Sequence, residues 1–426
     1  MTVTNGLAPT PPLGWNSWDC YGPSVRENEV KANAEFMAEH LAQFGWSYVV
    51  VDIQWYEPNA QAGGYRPNAD LIMDDYGRLM PAVNRFPSAA GGMGFKPLAD
   101  YVHKLGLQFG LHILRGIPRQ AVERNLPILD TPYCAQDIAD KARVSSWIDD
   151  MYGIDMTKPG AQEYYDSIVK LYASWDVDYI KADDMLWPYH ESEIAALHAA
   201  IAKLARPMLL SLSPGVEMTP DRFNHLKDHC ELFRISADFW DRWEDLKAQF
   251  DVCRLWAHYT GPGCWADADM LPLGHIGIRA ERGIDRQTLL TRDEQMTLMT
   301  LWTISRSPLM FGGDLPTSDD FTLSLLTNAE VLQVLRASTS NHQFFCEASL
   351  VGWRANSTES DDLYLAMFNL GDEPQNSIVF DFTWLSGERG YHVRDLWEQT
   401  ELGFMLYKFQ LSLAPHACKF YRLYRF

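Results

Sequence analysis

Short apolar segments alternate with amphipathic segments along most of the chain. Near-continuous apolar runs occupy residues 13–18, 48–55, 107–114, 177–183, 208–213, 232–238, 263–271 and 308–315. Runs of this length are typical of strands that are buried on both faces, as in a parallel sheet. The pattern therefore predicts eight buried parallel strands.

Helical patterns fill the intervals between these runs. Apolar residues recur at steps of three and four positions from Val30 to Leu41, and again from Tyr164 to Trp175 after Pro159. This spacing places the apolar side chains on one face of a helix. Strands alternating with helices predict an α/β fold, a (β/α)₈ TIM barrel over residues 1–338. A doubly wound open sheet is the main competing fold, and the sequence has no GxGxxG fingerprint to support it.

The pattern changes near residue 340. Short segments of alternating polarity occupy residues 363–368, 378–382, 391–393 and 420–423, with turn residues at 369–372 and 386–387. Alternation of this kind, bounded by turns, is typical of antiparallel strands. We therefore predict a second domain at 339–426, an antiparallel β-sandwich.

Two connections are long for loops that follow barrel strands. They span residues 56–95 and 115–155, whereas such loops usually have only a few residues. On a barrel they would lie beside the active face, so we expect them to shape a substrate cleft.

Composition and charge narrow the function. Hydrophobic residues make up 47% of the chain, which supports a full core, and the net charge is −20. The negative charge argues against nucleic acid and against anionic membranes as partners, and no apolar run reaches the roughly 20 residues of a spanning helix. A neutral oligosaccharide or glycoside is a compatible substrate. The oligomeric state stays open, with a homo-oligomer possible.

The cysteines and the first residues bear on location and metal content. The seven cysteines are scattered and lack CxxC spacing, so we expect reduced thiols and no zinc site. Residues 1–7 have neither a basic nor an apolar region of a signal peptide. From these features we expect a cytoplasmic protein without metal or cofactor.

Two carboxylates close two separate apolar strands. Asp183 ends the run Asp178–Asp183, and Asp238 ends the run Phe233–Asp238. A lone Asp at a strand end is most often the cap of the next helix, and we assign that role to Asp184. Asp183 and Asp238 differ because Lys181 and Arg234 accompany them on their strands.

Such a pair is the minimum machinery for breaking a glycosidic bond. A nearby cation keeps a nucleophilic carboxylate ionised, and the acid should lie in a drier pocket or closer to other carboxylates. We expect the two carboxyl groups to lie about 5–5.5 Å apart, the spacing of a retaining enzyme.

Further side chains at the strand ends are candidates for binding the substrate. Catalytic and binding groups gather at the carboxyl ends of barrel strands. The candidates are Trp18, Asp52, Ile53, Trp55, His112, Lys181, Ser213, Arg234 and Asp269.

Five motifs, in order along the chain, resemble one enzyme family. They are the segments 11–18 (PPLGWNSW), 178–183 (DYIKAD), 234–238 (RISAD), 263–271 (GCWADADML) and 301–311, which contains LW and SPLMF. Together they resemble glycoside hydrolase family 27, which includes α-galactosidases and α-N-acetylgalactosaminidases.

This resemblance implies a barrel, an antiparallel C-terminal domain, no metal and a retaining double displacement. It makes Asp183 the nucleophile and Asp238 the acid/base. It also makes Trp18, Asp52, Lys181, Arg234 and Asp269 ligands of the sugar.

The sequence departs from the family pattern around the sugar. The family usually has two adjacent Asp at the end of its second strand, and here Ile53 follows Asp52. His112 stands where Tyr is common. Ser213 stands where galactosidases often carry Glu, and it resembles the N-acetylgalactosaminidase branch. Met185 lies where relatives have a disulfide beside the nucleophile.

Three functions therefore stay open. The first is a retaining exo-acting α-galactosidase. The second is the same mechanism on another sugar: N-acetylgalactosamine, β-L-arabinopyranose or a glucose-based isomalto-oligosaccharide. The third is a non-catalytic carbohydrate-binding barrel, which we would expect to lose Asp183 or Asp238.

Overall fold

Eight parallel strands close into a barrel in the first part of the chain. The computed structural model describes residues 6–280, 282–381 and 390–425. Its first thirteen strands, eight of which form the barrel, are β1 (Leu13–Asn16), β2 (Tyr48–Val51), β3 (Gln108–Leu114), β4 (Ile117–Pro118), β5 (Ala139–Val144), β6 (Met151–Ile154), β7 (Tyr179–Asp183), β8 (Leu209–Leu212), β9 (Leu232–Arg234), β10 (Trp265–Asp267), β11 (His275–Ile276), β12 (Arg286–Gln287) and β13 (Leu309–Phe311).

The order around the barrel sheet is β10-β9-β8-β7-β3-β2-β1-β13, with every neighbour parallel. A parallel bridge between Leu271 and Phe311 joins its two ends. The predicted barrel is confirmed, and the open doubly wound sheet is excluded.

Helices alternate with the barrel strands, as the spacing predicted. They are α1 (Trp18–Tyr21), α2 (Glu27–Phe36), α3 (Lys96–Lys104), α4 (Arg119–Glu123), α5 (Ala135–Ile138), α6 (Ala161–Ser174), α7 (Glu191–Ala202), α8 (Phe223–His229), α9 (Trp243–Trp256), α10 (Arg292–Ser305), α11 (Asp320–Leu326) and α12 (Ala329–Arg336). The predicted helix around Val30 is α2, which continues into a π-helical turn at Met37–Leu41. The predicted helix after Pro159 is α6.

Each barrel strand is shorter than the apolar run that predicted it. The run 232–238 contains β9, which ends at Arg234, and the run 263–271 contains β10, which ends at Asp267. The residues after these ends leave the ladder and lie at the mouth of the barrel. Asp238 and Asp269 therefore lie outside the paired strands.

The two long connections lie at that same mouth. Strands β4, β6 and β5 form a small antiparallel sheet within residues 115–155. The connection 56–95 follows β2, on the same side of the barrel. Both insertions therefore lie beside the carboxyl ends of the strands, as expected.

Antiparallel strands form the C-terminal part of the chain. They are β14 (Ser338–Glu347), β15 (Leu350–Ser357), β16 (Leu363–Asn369), β17 (Gln375–Asp381), β18 (Tyr391–Asp395), β19 (Thr400–Met405), β20 (Lys408–Leu413) and β21 (Cys418–Tyr424). A six-stranded sheet, β14-β15-β16-β21-β18-β19, and the pair β17-β20 enclose a second core that includes Leu365, Phe380, Phe409 and Leu423. The predicted β-sandwich is confirmed. Phe382 and the predicted turn at 386–387 lie outside the described residues.

Helix α10 joins the two parts. Its residues from Thr297 to Ser305 are buried on all sides, as expected for a helix packed between two layers. Thr297 donates to the carbonyl of His416 (2.7 Å), and Thr300 accepts from the indole of Trp397 (2.8 Å). In chain order, α12 ends at Arg336 and β14 begins at Ser338. Across the described residues, none of the helices has the length and apolar character that a bilayer-spanning helix would need.

Candidate active site

The carboxyl ends of the barrel strands open into one pocket of about 390 Å³. Most of the predicted site residues line it: Trp18, Asp52, Ile53, Lys181, Asp183, Arg234, Asp238 and Asp269. They come from five different strand ends, and the closed sheet brings them together. The structure thus places both candidate catalytic carboxylates in a single cavity.

Asp183 is the last residue of β7 and lies deep in the pocket, with 17% of its side chain exposed. Its Oδ1 accepts from the backbone N–H of Asp184 (2.8 Å), and its Oδ2 lies 3.3 Å from Nε2 of His112. Burial opposes ionisation, but the His112 hydrogen bond and the charges of His112 and Lys181 outweigh it. The pKa of Asp183 consequently lies well below its ordinary value. A permanently ionised carboxylate is suited to act as a nucleophile.

Lys181 and Asp52 form a buried ion pair beside Asp183. The ammonium of Lys181 lies 2.8 Å from Oδ2 of Asp52, which also accepts from the amide of Asn16 (2.7 Å). Burial disfavours both charges, yet each stabilises the other: the pKa of Asp52 is lowered and that of Lys181 is raised. This pair gives the pocket a fixed donor next to a fixed acceptor, which suits neighbouring hydroxyl groups because each hydroxyl can both donate and accept.

Arg234 holds together the part of the pocket wall at the ends of β9 and β10. Its Nη1 lies 2.7 Å from Asp269, and its Nη2 lies 3.4 Å from Asp238. Asp269 also accepts from the backbone N–H of Phe239 (2.7 Å). Burial and the charges of Asp238 and Asp267 raise the pKa of Asp269 to about 7, although Arg234 opposes the shift. This wall is a cluster of carboxylates around one guanidinium.

The two catalytic candidates differ in exposure. The side chain of Asp238 is 50% exposed, against 17% for Asp183. The expectation that the acid occupies the drier position is therefore wrong for this structure. The other part of that expectation is met, because Asp238 shares Arg234 with Asp269. A half-exposed carboxyl at the rim is placed to reach the leaving group and then a water.

Trp55 was predicted to bind the substrate, and that prediction is wrong. Its side chain is fully buried, its indole donates to the carbonyl of His112 (2.8 Å), and its ring packs edge-on against Phe95. β2 ends at Val51, and beyond a strand end the alternation of faces no longer applies. The chain turns there, so Trp55 points into the layer between barrel and helices.

His112 and Ser213 lie behind the pocket wall rather than on it. His112 is fully buried, and its Nε2 contacts Asp183 and not the pocket. Ser213 is 1% exposed, and Pro214 and Val216 take its place on the wall.

Asp184 also differs from its prediction as a helix cap. Its carboxylate accepts two hydrogen bonds from Arg115, at 3.1 and 2.9 Å, and Arg115 also pairs with Glu193 (2.9 Å). This buried network stabilises the turn that follows β7.

The sequence reasoning missed several lining residues. Tyr65 comes from the first long connection, and Ser146 and Trp147 come from the second. The ring of Trp18 stacks on Tyr65 (centroids 5.8 Å apart), which in turn contacts Trp147 (5.3 Å). The other missed lining residues are Asp19, Trp187, Ala237, Phe239, Trp240, Met270 and Arg282, besides Pro214 and Val216. Signals for some of them were available: Asp19 follows the tryptophan of the first motif, Met270 lies in the fourth motif, and Tyr65 and Trp147 lie in the long connections.

Among the described residues, one group could in principle hold a metal ion: Asp100, His103 and Asp176. Lys96 already forms ion pairs with both of these carboxylates, at 3.1 Å from Asp176. The group lies at the end of α3 and before β7, which is the face of the barrel opposite to the pocket. It does not belong to the candidate active site.

Comparison with known proteins agrees with this site and fold. Residues 135–336 match the family model described as alpha galactosidase A, and residues 350–423 match the alpha galactosidase C-terminal beta sandwich domain. A β-L-arabinopyranosidase of glycoside hydrolase family 27 from Geobacillus stearothermophilus, solved with arabinose, is 50% identical. That match covers 100% of this chain and 99% of the other, with a TM-score of 0.97.

More distant relatives extend over most of the chain. Alpha-galactosidase 2 of Arabidopsis thaliana is 26% identical, covering 100% of this chain and 92% of that protein. Human alpha-N-acetylgalactosaminidase is 27% identical, covering 78% of this chain and 71% of that protein. The barrel, the sandwich and the identity to a full-length relative lead to one conclusion: the chain belongs to glycoside hydrolase family 27 and is a glycoside hydrolase.

Proposed function

We propose that this enzyme is a retaining exo-glycosidase that releases β-L-arabinopyranose from glycosides. The observation that carries the choice of sugar is Ile53, a branched apolar side chain on the pocket wall directly beside Asp52. The choice of mechanism rests on the two carboxylates, Asp183 and Asp238, in the same pocket.

The chemistry would proceed in two displacements. In the first, the ionised Asp183 attacks the anomeric carbon while Asp238 gives its proton to the departing glycosidic oxygen. The product is a covalent glycosyl-enzyme. In the second, Asp238 takes a proton from water, which displaces Asp183 from the anomeric carbon and restores the original configuration.

The environments of the two carboxylates support these roles. The hydrogen bond from His112 and the charge of Lys181 help to keep Asp183 ionised. Asp238 lies at the pocket rim beside Arg234 and retains half of its exposure, so water can approach it once the leaving group has departed.

Ile53 favours a pentose over galactose. β-L-Arabinopyranose has the ring configuration of α-D-galactose but carries only hydrogen where galactose has its hydroxymethyl group. Ile53 is 2% exposed and offers no hydrogen bond to a hydroxyl. A buried hydroxyl left unpaired costs about 1–3 kcal/mol, and that penalty applies to galactose only. The similarity to the Geobacillus β-L-arabinopyranosidase supports the same choice.

The test is a comparison of four p-nitrophenyl glycosides: β-L-arabinopyranoside, α-D-galactoside, α-N-acetylgalactosaminide and α-D-glucoside. We expect the highest kcat/KM for the arabinopyranoside. The kcat/KM for the galactoside should be lower by about ten-fold or more. Ile53→Asp should narrow that gap by raising galactoside turnover. Ile53→Val, which keeps the wall apolar, should preserve the preference for arabinopyranoside. A wild-type preference for galactoside that Ile53→Asp only impairs would refute the assignment of the sugar.

The configuration of the released sugar tests the mechanism separately. Proton NMR of the first product should show the β-L anomer before mutarotation. Release of the opposite anomer would exclude a double displacement, whichever glycoside is cleaved.

α-Galactosidase activity is the second candidate. It is favoured by the intact Asp52–Lys181 pair, which binds hydroxyls that galactose and arabinopyranose share. N-acetylgalactosaminidase activity has weaker support, because Ser213, the residue that suggested it, lies behind Pro214 and Val216.

A further inference from the structure

Asp19 is a buried carboxyl on the wall of the active-site pocket, and the two displacements do not use it. It is 3% exposed and lies in α1, directly after Trp18. Its side chain packs against Gly312, which follows β13, so closely that a Cβ at position 312 would overlap the carboxyl. This contact fixes Asp19 between the first and the last strand of the barrel.

The carboxyl lacks the partners that buried polar groups normally have. Within the part of the chain that the structure describes, Oδ2 of Asp19 is enclosed and has no hydrogen-bond partner. Buried polar atoms are almost always paired, and each exception calls for an explanation. The neighbouring Asp52 shows the contrast, because it accepts from Lys181, Asn16 and its own following N–H.

The surroundings of Asp19 disfavour its ionised form. Burial is the largest cause, and the charges of Asp269, Asp52 and Asp238 add to it, against the opposing charge of Lys181; the pKa of Asp19 is raised well above its ordinary value. A neutral carboxylic acid is both a hydrogen-bond donor and an acceptor. The other carboxylates on the wall, when ionised, can only accept.

We propose that Asp19 is a sugar-binding residue whose carboxylic acid donates a hydrogen bond to a ring hydroxyl of the sugar in the pocket. The geometric basis is a carboxyl that lines the pocket and whose Oδ2, enclosed against Gly312, has no hydrogen-bond partner among the described residues. In this role Asp19 supplies a polar contact on the wall where Ile53 supplies none. The inference deepens the proposed function and rests on it only for the identity of the sugar.

Two substitutions separate the donor role from a structural one. Asp19→Asn keeps the shape, the neutrality and a donor, and should leave kcat/KM within about three-fold of wild type. Asp19→Leu removes donor and acceptor and should lower kcat/KM about ten-fold or more, chiefly through KM. Asp19→Ser, which is smaller and polar but too short to reach, serves as a second loss variant in case Asp19→Leu does not fold.

Deoxy analogues identify the contact itself. The measurements use the glycoside that wild type cleaves fastest in the four-substrate comparison, so a wrong sugar assignment does not affect this result. Removing the hydroxyl at one ring position, either 2, 3 or 4, should lower kcat/KM about ten-fold with wild type and with Asp19→Asn. With Asp19→Leu or Asp19→Ser, the same analogue should be cleaved as well as its parent.

Three results would overturn the proposal. One is that the loss variants reduce activity on the parent and on every deoxy analogue by the same factor, which would give Asp19 a structural role. The second is that Asp19→Asn lowers kcat/KM as much as Asp19→Leu, which would mean that activity needs an ionised carboxylate at position 19. Unchanged kcat/KM in both loss variants would equally exclude a contact with the sugar.

Discussion

Each end of the barrel carries a histidine–aspartate pair beside β7, and only the pair at the carboxyl end adjoins the candidate active site. At the carboxyl end, Nε2 of His112 lies 3.3 Å from Asp183. At the amino end, Nε2 of His103 lies 2.7 Å from Asp178. The two aspartate side chains are almost equally exposed, at 17% and 16%. Residue type and the exposure of the aspartate therefore do not distinguish the two pairs, although His112 is fully buried and His103 is 29% exposed.

The difference lies in what surrounds each carboxylate. Asp178 is saturated by the protein: it accepts from the N–H of Phe109 (2.8 Å) and from Arg206 (2.6 Å) in addition to His103. Asp183 instead faces a cavity that Asp238 also lines. Several acidic residues occur at both ends, but at the amino end Lys96 bridges Asp100 and Asp176. A catalytic site needs carboxylates that the fold leaves for the substrate.

Asp183→Ala should have the largest effect of any substitution at either pair. Removing the nucleophile should lower kcat by about 10⁴-fold or more, with the fold retained. Added azide should restore turnover and give a glycosyl azide of inverted configuration. The matched variant is Asp178→Ala, which should keep wild-type kcat. Similar activity losses in the two variants would mean that the comparison between the pairs is wrong.

Asp238→Ala should have the next largest effect, and one that depends on the leaving group. Poor leaving groups need protonation, so alkyl glycosides should lose about 10²–10⁴-fold in kcat/KM. A dinitrophenyl leaving group needs no proton, so the rate of the first displacement should fall far less with this substrate. The measurement is a plot of rate against leaving-group pKa for wild type and variant. Parallel plots would remove Asp238 from the role of acid.

His112→Leu should act through the acidity of Asp183. It removes the hydrogen bond and the charge that lower the pKa of Asp183, and it leaves the burial that raises it. The ionised form is the reactive one, so the acidic limb of kcat/KM should move to higher pH. His103→Leu, at the other end, should leave the profile unchanged. An unshifted acidic limb in His112→Leu would show that His112 does not control the nucleophile.

The smallest effect on activity, and a clear effect on stability, is expected for Asp178→Ala. The variant loses hydrogen bonds to His103, Phe109 and Arg206, which should lower the free energy of unfolding by about 1–3 kcal/mol. Chemical denaturation monitored by fluorescence measures that change. A fall in kcat at temperatures where the variant is fully folded would contradict a purely structural role for this pair.

The sequence predicted the architecture well because the fold depends on the burial of apolar side chains, and these recur at regular spacing along the chain. Each of the eight apolar runs contains one barrel strand. The C-terminal sandwich was recognised from four of its eight described strands, and β14, β15, β19 and β20 were missed. β20 does alternate between exposed and buried positions, and that pattern was overlooked. Most side chains of β14 and β19 are at least partly exposed. Pairing with neighbours distant in sequence forms such strands, and a local pattern of polarity does not record it.

The sequence by itself determined which segments form the barrel strands, and hence which carboxylates could meet. Asp183 ends β7 and Asp238 lies just past β9, and parallel strands in a barrel deliver their carboxyl ends to one face. Tertiary structure alone decided the rest. Past Val51 the chain turns, so Ile53 reaches the pocket while Trp55 enters the core. Asp19 lies in a four-residue helix, and only the approach of Gly312 encloses its carboxyl at the pocket wall. These outcomes depend on how distant segments pack, and no local periodicity encodes them.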